Sequence, residues 1–269
     1  QGYNWYAYII FHNIIISLFK YFNSKVKRYI KLICIFLLAS CGGDSSNSNL
    51  ELSNFIKPEY SFKESSFNCN LVAGKTLNSV ERFIPKFVSS FSKIGDGSEE
   101  LYFLFPVTQD QTDTQTFKLL MKHIESISLD RLNLALAALS FDDIATCESS
   151  TVLNSSLWLT KQSIAGSSVI SEILECEYLE GFNYATMKLV IEQFTDALKK
   201  SSSSVDILYS QKDSSNINFQ WTNIFSSLQA RTDFVESWQA LEISKEIQEL
   251  LLEQSICQSS KTYRRYQVL

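Results

Sequence analysis

The side chains of this 269-residue sequence best equipped for chemistry are six cysteines, two histidines and a set of aromatic residues. No Cys-x-x-Cys pair occurs, and His123 is the only histidine after residue 40, so the sequence offers no metal site and asks for no cofactor. A Ser-His-Asp triad would have to form around His123, and no nucleophile elbow supports one. His123 reads as a strand-end or core histidine. Ala73-Gly74-Lys75-Thr76 matches the end of a phosphate-binding loop, but that motif needs Gly five places before Gly74, where Cys69 stands. Gly74 and Gly181 read as strand-to-helix turns. Asp110-Gln111-Thr112-Asp113 lacks the Gly and distal Glu of a calcium loop and reads as a hairpin loop. Glu99-Glu100 and Asp142-Asp143 read as solvated turns.

Composition narrows the function classes further. With 45% hydrophobic, 20% charged and 13% aromatic residues, the chain is of ordinary globular make-up. The net charge of −5 is unevenly spread: residues 1–40 carry five cations and no acid, leaving 19 cations against 29 anions in the rest. So acidic a body has no electrostatic footprint for nucleic acid.

The cations flank an address. Lys25-Val-Lys-Arg-Tyr-Ile-Lys31 is a basic region, followed by the apolar run Leu32–Ala39, which is far shorter than the ~20 residues a spanning helix needs. Leu38-Ala39-Ser40-Cys41 resembles the lipobox of bacterial lipoproteins. That resemblance implies a signal peptide over 25–40, acylation of Cys41 and membrane attachment through its lipid. Gly42 after the cysteine implies sorting to the outer membrane, with the body in the periplasm or at the cell surface. Residues 41–60 read as a Ser/Asn-rich tether, too polar to fold alone. Residues 1–24, upstream of this signal, read as a segment outside the native protein, through a fragment or misplaced start, or as an extra membrane helix.

The body reads as one unit written twice, over 61–160 and 161–269. Cys69-Asn-Leu-Val-Ala-Gly74 aligns with Cys176-Glu-Tyr-Leu-Glu-Gly181. Each glycine is followed by a 3.6-period helix, with Leu77, Val80, Phe83, Phe87 and Phe91 matching Tyr184, Met187, Val190, Phe194 and Leu198. Thr76 and Asn183 suit the N-caps, and Pro85 should kink the first helix. Two strand-like runs follow in each copy, Leu101–Phe105 and Thr116–Met121 against Val205–Tyr209 and Asn218–Thr222. Then come a second helical region and a β-compatible tail, Thr151–Leu159 and Thr262–Leu269. The second copy is longer after Phe219, which predicts an extra helix around Ile243–Leu252. The order βαββαβ, twice, gives an α+β fold of two tandem ferredoxin-like units.

Cysteines fall at matching places in this plan, Cys69 and Cys147 in one unit and Cys176 and Cys257 in the other. First and fourth strands are neighbours in a ferredoxin-like sheet, and the bacterial envelope is oxidising, so disulfides Cys69–Cys147 and Cys176–Cys257 are expected. Each closes a long loop, worth about 3–4 kcal/mol.

Phe219, Trp221, Asn223 and Phe225 alternate onto one face of a strand, with Tyr178, Tyr209 and Trp238 placed to join them. Such a stripe is a hydrophobic core or, as its functional alternative, an apolar ligand pocket. The Phe-x-Trp strand followed by a helix with a distal Trp resembles the antibiotic-biosynthesis-monooxygenase-like, dimeric α+β barrel superfamily. The resemblance implies two units packed as a pseudo-dimeric barrel. It also implies either cofactor-independent oxidation of small aromatics or haem handling by Asn, Trp and His. Trp221 and Asn223 are present here, but the position matching His123 in the second copy is Phe225. The expected role is therefore a lipid-anchored module binding a small apolar ligand or an envelope partner, with the monooxygenase or haem-handling enzyme as the alternative.

Overall fold

The computed structural model describes residues 60–94, 100–107, 115–123, 127–160, 168–201, 204–212 and 217–269. Cys41, the signal, the tether up to Glu59, Glu99 and the Asp110–Asp113 loop lie outside them, and Tyr60 at the end of the tether already belongs to the first strand.

Among the described residues, nine strands and five α-helices follow the duplicated order. In the first unit these are β1 (Tyr60–Leu71), α1 (Leu77–Phe91), β2 (Glu100–Pro106), β3 (Thr116–His123), α2 (Ile127–Ala138), β4 (Ala145–Cys147) and β5 (Thr151–Trp158). The second unit has β6 (Ser168–Tyr178), α3 (Tyr184–Ser201), β7 (Asp206–Lys212), β8 (Asn218–Phe225), α4 (Leu228–Gln239), α5 (Ser244–Gln254) and β9 (Ser255–Gln267). The extra helix expected near Ile243–Leu252 is α5. Gly74 and Gly181 turn each first strand into its helix at φ +80° and +89°, where a side chain would be strained by the backbone rather than by neighbours. Asn183 caps α3, its Oδ1 accepting from the Ala185 N–H at 2.8 Å. At α1 the Thr76 N–H donates to Ser79 Oγ at 3.3 Å. Pro85 does not end α1, which continues six residues past it. Pro85 and Glu81 are both exposed, so the carbonyl left without its helical donor can turn to water.

Every strand pairing is antiparallel. β1 lies against β3, then β2, β9, β6, β8, β7 and β5 follow, and β5 returns to β1. Eight strands thus close into a ring without a free edge of its own, and the short β4 lies beside β1 outside it. The fourth strand of the plan takes different forms in the two units. In the first it is split: β4 pairs with the end of β1 (Cys69↔Cys147), while β5 pairs with the start of β1 and crosses to β7 of the second unit. In the second it is the single long β9, which pairs with β6 and runs on to β2 of the first unit.

These crossings knit the two cores together. α1 and α2 cover the outer face of the first sheet, where Phe87, Phe103, Phe117 and Leu119 are buried, and Tyr266 and Leu269 from the end of the chain pack against that core. α3, α4 and α5 cover the second sheet, and Trp158 from β5 belongs to their core. Each unit's last strand therefore completes its neighbour. Sulfur bridges join Cys69 to Cys147 and Cys176 to Cys257, in each case residues directly opposite on paired strands.

Candidate functional site

Strand alternation gives each sheet two faces, one under the helices and one lining the ring. The predicted aromatic set lies on the helix side of the second unit. Phe219 stacks on Tyr178 with ring centroids 4.5 Å apart and on Tyr209 at 5.3 Å. Phe194 of α3 tilts against Trp221 at 5.5 Å and meets Trp238 of α4 edge-on at 4.7 Å. Phe225 packs on Phe234 at 5.4 Å. The hydroxyls of Tyr178 and Tyr209 lie 2.6 Å apart, and Tyr209 donates to Gln211 Oε1 at 3.1 Å. Burial pushes both phenols well above their ordinary value of 10.0. The structure thus brings the predicted residues together, but as rings filling one another's space beneath α3–α5.

Asn223 departs from that apolar pattern. Its Oδ1 accepts from Trp221 Nε1 at 2.8 Å, its Nδ2 donates to Glu172 Oε2 at 3.3 Å, and Arg231 Nε donates to Glu172 Oε1 at 3.0 Å. The chain of bonds pins α4 to β6 and β8. The corresponding positions of the first unit hold Leu119, Met121 and Ser65, so this polar clasp belongs to the second unit alone.

The other face lines the lumen, and its chemistry is different. A small cavity there is lined from all eight strands of the ring, and leaves about 10 Å³ for the centre of a water-sized molecule. Glu64 of β1 is 1% exposed. Its Oε2 accepts from Ser155 Oγ at 2.7 Å, and Ser155 in turn meets Ser210 Oγ at 2.7 Å. Arg265 of β9, also buried, stacks its guanidinium 3.7 Å from the centre of the Tyr102 ring. Lys122 donates to Glu100 Oε1 at 2.8 Å, and Tyr102 OH donates to the other oxygen. Burial works against the Glu100 carboxylate, but these two bonds prevail and hold it below 4.5.

Sequence reading passed over this cluster. Glu64, Ser155, Ser171, Ser210 and Arg265 are scattered along the chain, and only ring closure gathers them. The available signal was polar residues at alternate positions in segments otherwise read as buried strands.

Solved structures similar to this one cover about three quarters of the chain. A protein assigned as a monooxygenase from Fusobacterium nucleatum superposes with a TM-score of 0.52 at 8% identity, over 78% of this chain and 94% of that one. Another so assigned, from Lactobacillus acidophilus NCFM, gives 0.50 at 11% identity, over 77% and 95%. A chlorite dismutase variant from Candidatus Nitrospira defluvii gives 0.50 at 8% identity, over 77% and 92%. The body has a pseudo-dimeric α+β barrel fold. Here the barrel is made by one chain, its two ferredoxin-like units taking the places of two subunits. The sequence matches no protein-family model, and no curated protein matches it in sequence.

Haem does not fit the described sheet–helix layer of the barrel's second unit. The ring of Phe194 packs against both Trp221 and Trp238, and all three are buried, so a flat macrocycle would have to displace them. Residues 168–269 contain no histidine to ligate it. The described residues contain no cluster of His, Cys, Asp or Glu able to hold a metal ion.

Glu64 makes the barrel's stability depend on pH. Burial raises its carboxyl above the ordinary 4.5, against the lowering effects of Arg265, the Ser155 hydrogen bond and Lys122. The folded chain then holds this proton more tightly than the unfolded one. Its contribution to stability is full below 4.5 and is lost as pH rises through the folded value. Denaturant unfolding of wild type and Glu64→Gln across about pH 4 to 7 should give a difference curve falling with pH, at no more than about 1.4 kcal/mol per unit. A flat difference would refute the assignment.

Proposed function

We propose that this chain is a lipid-anchored protein of the bacterial outer membrane, acylated at Cys41, whose barrel acts as an interaction module for an envelope partner. The observation carrying the non-enzymatic part is the close packing of Trp221, Trp238, Phe194 and Phe219 under the second unit's helices. A substrate-sized apolar ligand would have to displace core side chains to enter there. The same packing favours a macromolecular partner over a small apolar ligand. The lipid anchor rests on Leu38-Ala39-Ser40-Cys41 and the basic and apolar segments before it. Two acyl chains anchor stably, at roughly 0.8 kcal/mol per buried methylene.

A monooxygenase or haem-handling role is the second reading. It is favoured by the fold shared with the two proteins assigned as monooxygenases. Two measurements separate the readings. Cells supplied with labelled palmitate should label the wild-type protein in the membrane fraction, and Cys41→Ser should abolish the label and release the body. The purified body should leave the Soret band of added haem unchanged and consume no oxygen with a hydroquinone. A shifted Soret band would establish haem handling and oxygen uptake the monooxygenase, and a Cys41→Ser variant that kept its label would remove the anchor.

A further inference from the structure

Glu64 and Ser171 occupy the same position in the two units, each five residues before its unit's first disulfide cysteine. Their strands, β1 and β6, stand opposite each other in the ring, with three strands between them on either side. Both residues line the lumen cavity. Glu64 is 1% exposed and Ser171 0%. Oε1 of Glu64 and Oγ of Ser171 are fully buried, and neither makes a hydrogen bond to the protein. Unmade bonds at such depth are costly, about 1–3 kcal/mol each and more for a charged group. Two such atoms, on residues that line one cavity from matched positions, call for a shared partner.

The cavity defines what that partner is. Its volume is near the threshold for a single water, which occupies roughly 10–15 Å³ on this measure and needs two to four polar contacts. A water can donate to a carboxylate oxygen and both donate to and accept from a serine hydroxyl. Arg265 and Lys118 also line the cavity, so a further cation would meet two positive side chains. An apolar guest would leave both oxygens unpaired.

We propose that the lumen binds one internal water molecule, held between Glu64 Oε1 of the first unit and Ser171 Oγ of the second. The water joins the two halves of the ring at its centre, where no direct bond links these residues. It also gives the carboxyl a partner on the side away from Ser155.

A crystal structure of the wild-type body at better than about 1.5 Å tests this. One density peak at hydrogen-bond distance, about 2.6–3.2 Å, from both oxygens is expected. In solution, relaxation dispersion of water ¹⁷O should count one fewer long-lived water in Ser171→Val, whose extra methyl fills the space. Ser171→Ala should lose one of the water's contacts and lower Tm by a few degrees. That loss should shrink when Glu64 is already Leu, because the bridge is gone in that background. A lumen without a peak, or Glu64 bonded directly to Ser171 or Arg265, would overturn the proposal. So would a peak with the shorter, higher coordination of a metal ion. Should Ser171→Val fail to fold, the crystal structure and the Ser171→Ala cycle decide the matter.

Discussion

Replacing Cys176 and Cys257 together by serine lowers the stability of the body by about 3–4 kcal/mol, and the Cys69/Cys147 pair does the same. The bridges span 78 and 81 residues. Each therefore removes a large share of the freedom of its unfolded loop. For a body of this size the loss corresponds to a fall in Tm of roughly 10 °C. Thermal unfolding of each double variant measures it, and non-reducing peptide mass spectrometry identifies the links. Linkage between units, or four free thiols, would refute the pairing. A double variant melting with the wild type would show that the loops are already restrained in the unfolded chain. Because β9 and β5 serve both halves of the ring, loss of one bridge should lower a single common transition rather than separate two.

Truncating the stacked aromatics costs as much. Trp238→Ala and Trp221→Ala should each destabilise the body by about 3–5 kcal/mol, the usual range for a buried large aromatic left as a cavity. Trp238 is 6% exposed and meets Phe194 edge-on, while Trp221 is 7% exposed and is hydrogen-bonded to Asn223. Denaturant midpoints and slopes give the change directly. A loss below about 1 kcal/mol would mean that these rings line an open pocket, and would return the apolar ligand to the proposal. Trp238→Phe keeps the edge-on contact and should lose less than half as much.

These two results rest on parts of the molecule that were readable one residue at a time. The 3.6-period pattern after Gly74 and Gly181 identifies α1 and α3, because a helix on a sheet must bury one stripe. The offset that aligns Cys69 with Cys176 also aligns Phe117 with Phe219, and with it the register of β3 and β8. Pro85 removes one hydrogen bond from α1, but on a face where water can replace it, and the helix runs on to Phe91.

The lumen was not readable in that way. Alternation along β1 separates Glu64 and Ser66 from Ser65 and Phe67, and says that two faces exist. It does not say which face meets helices and which meets another sheet, since either could be dry. Nor does local pattern distinguish a fourth strand that stays with its own unit from one that crosses. The short β4 and the crossing β5 differ from the continuous β9 in what they pair with, not in kind of residue.

By itself, then, the order of residues determined the duplicated plan, the partners of the four body cysteines and the aromatic layer under the second unit's helices. All of these depend on spacing within a unit. Ring closure, the exchange of last strands and the meeting of Glu64, Ser155, Ser171 and Arg265 were decided by tertiary structure. The physical reason is that a strand edge bonds to any backbone of the right geometry. Only the packing of both units at once leaves β2 and β7 no better neighbours than β9 and β5, and turns two sheet faces of mixed polar and apolar residues toward each other.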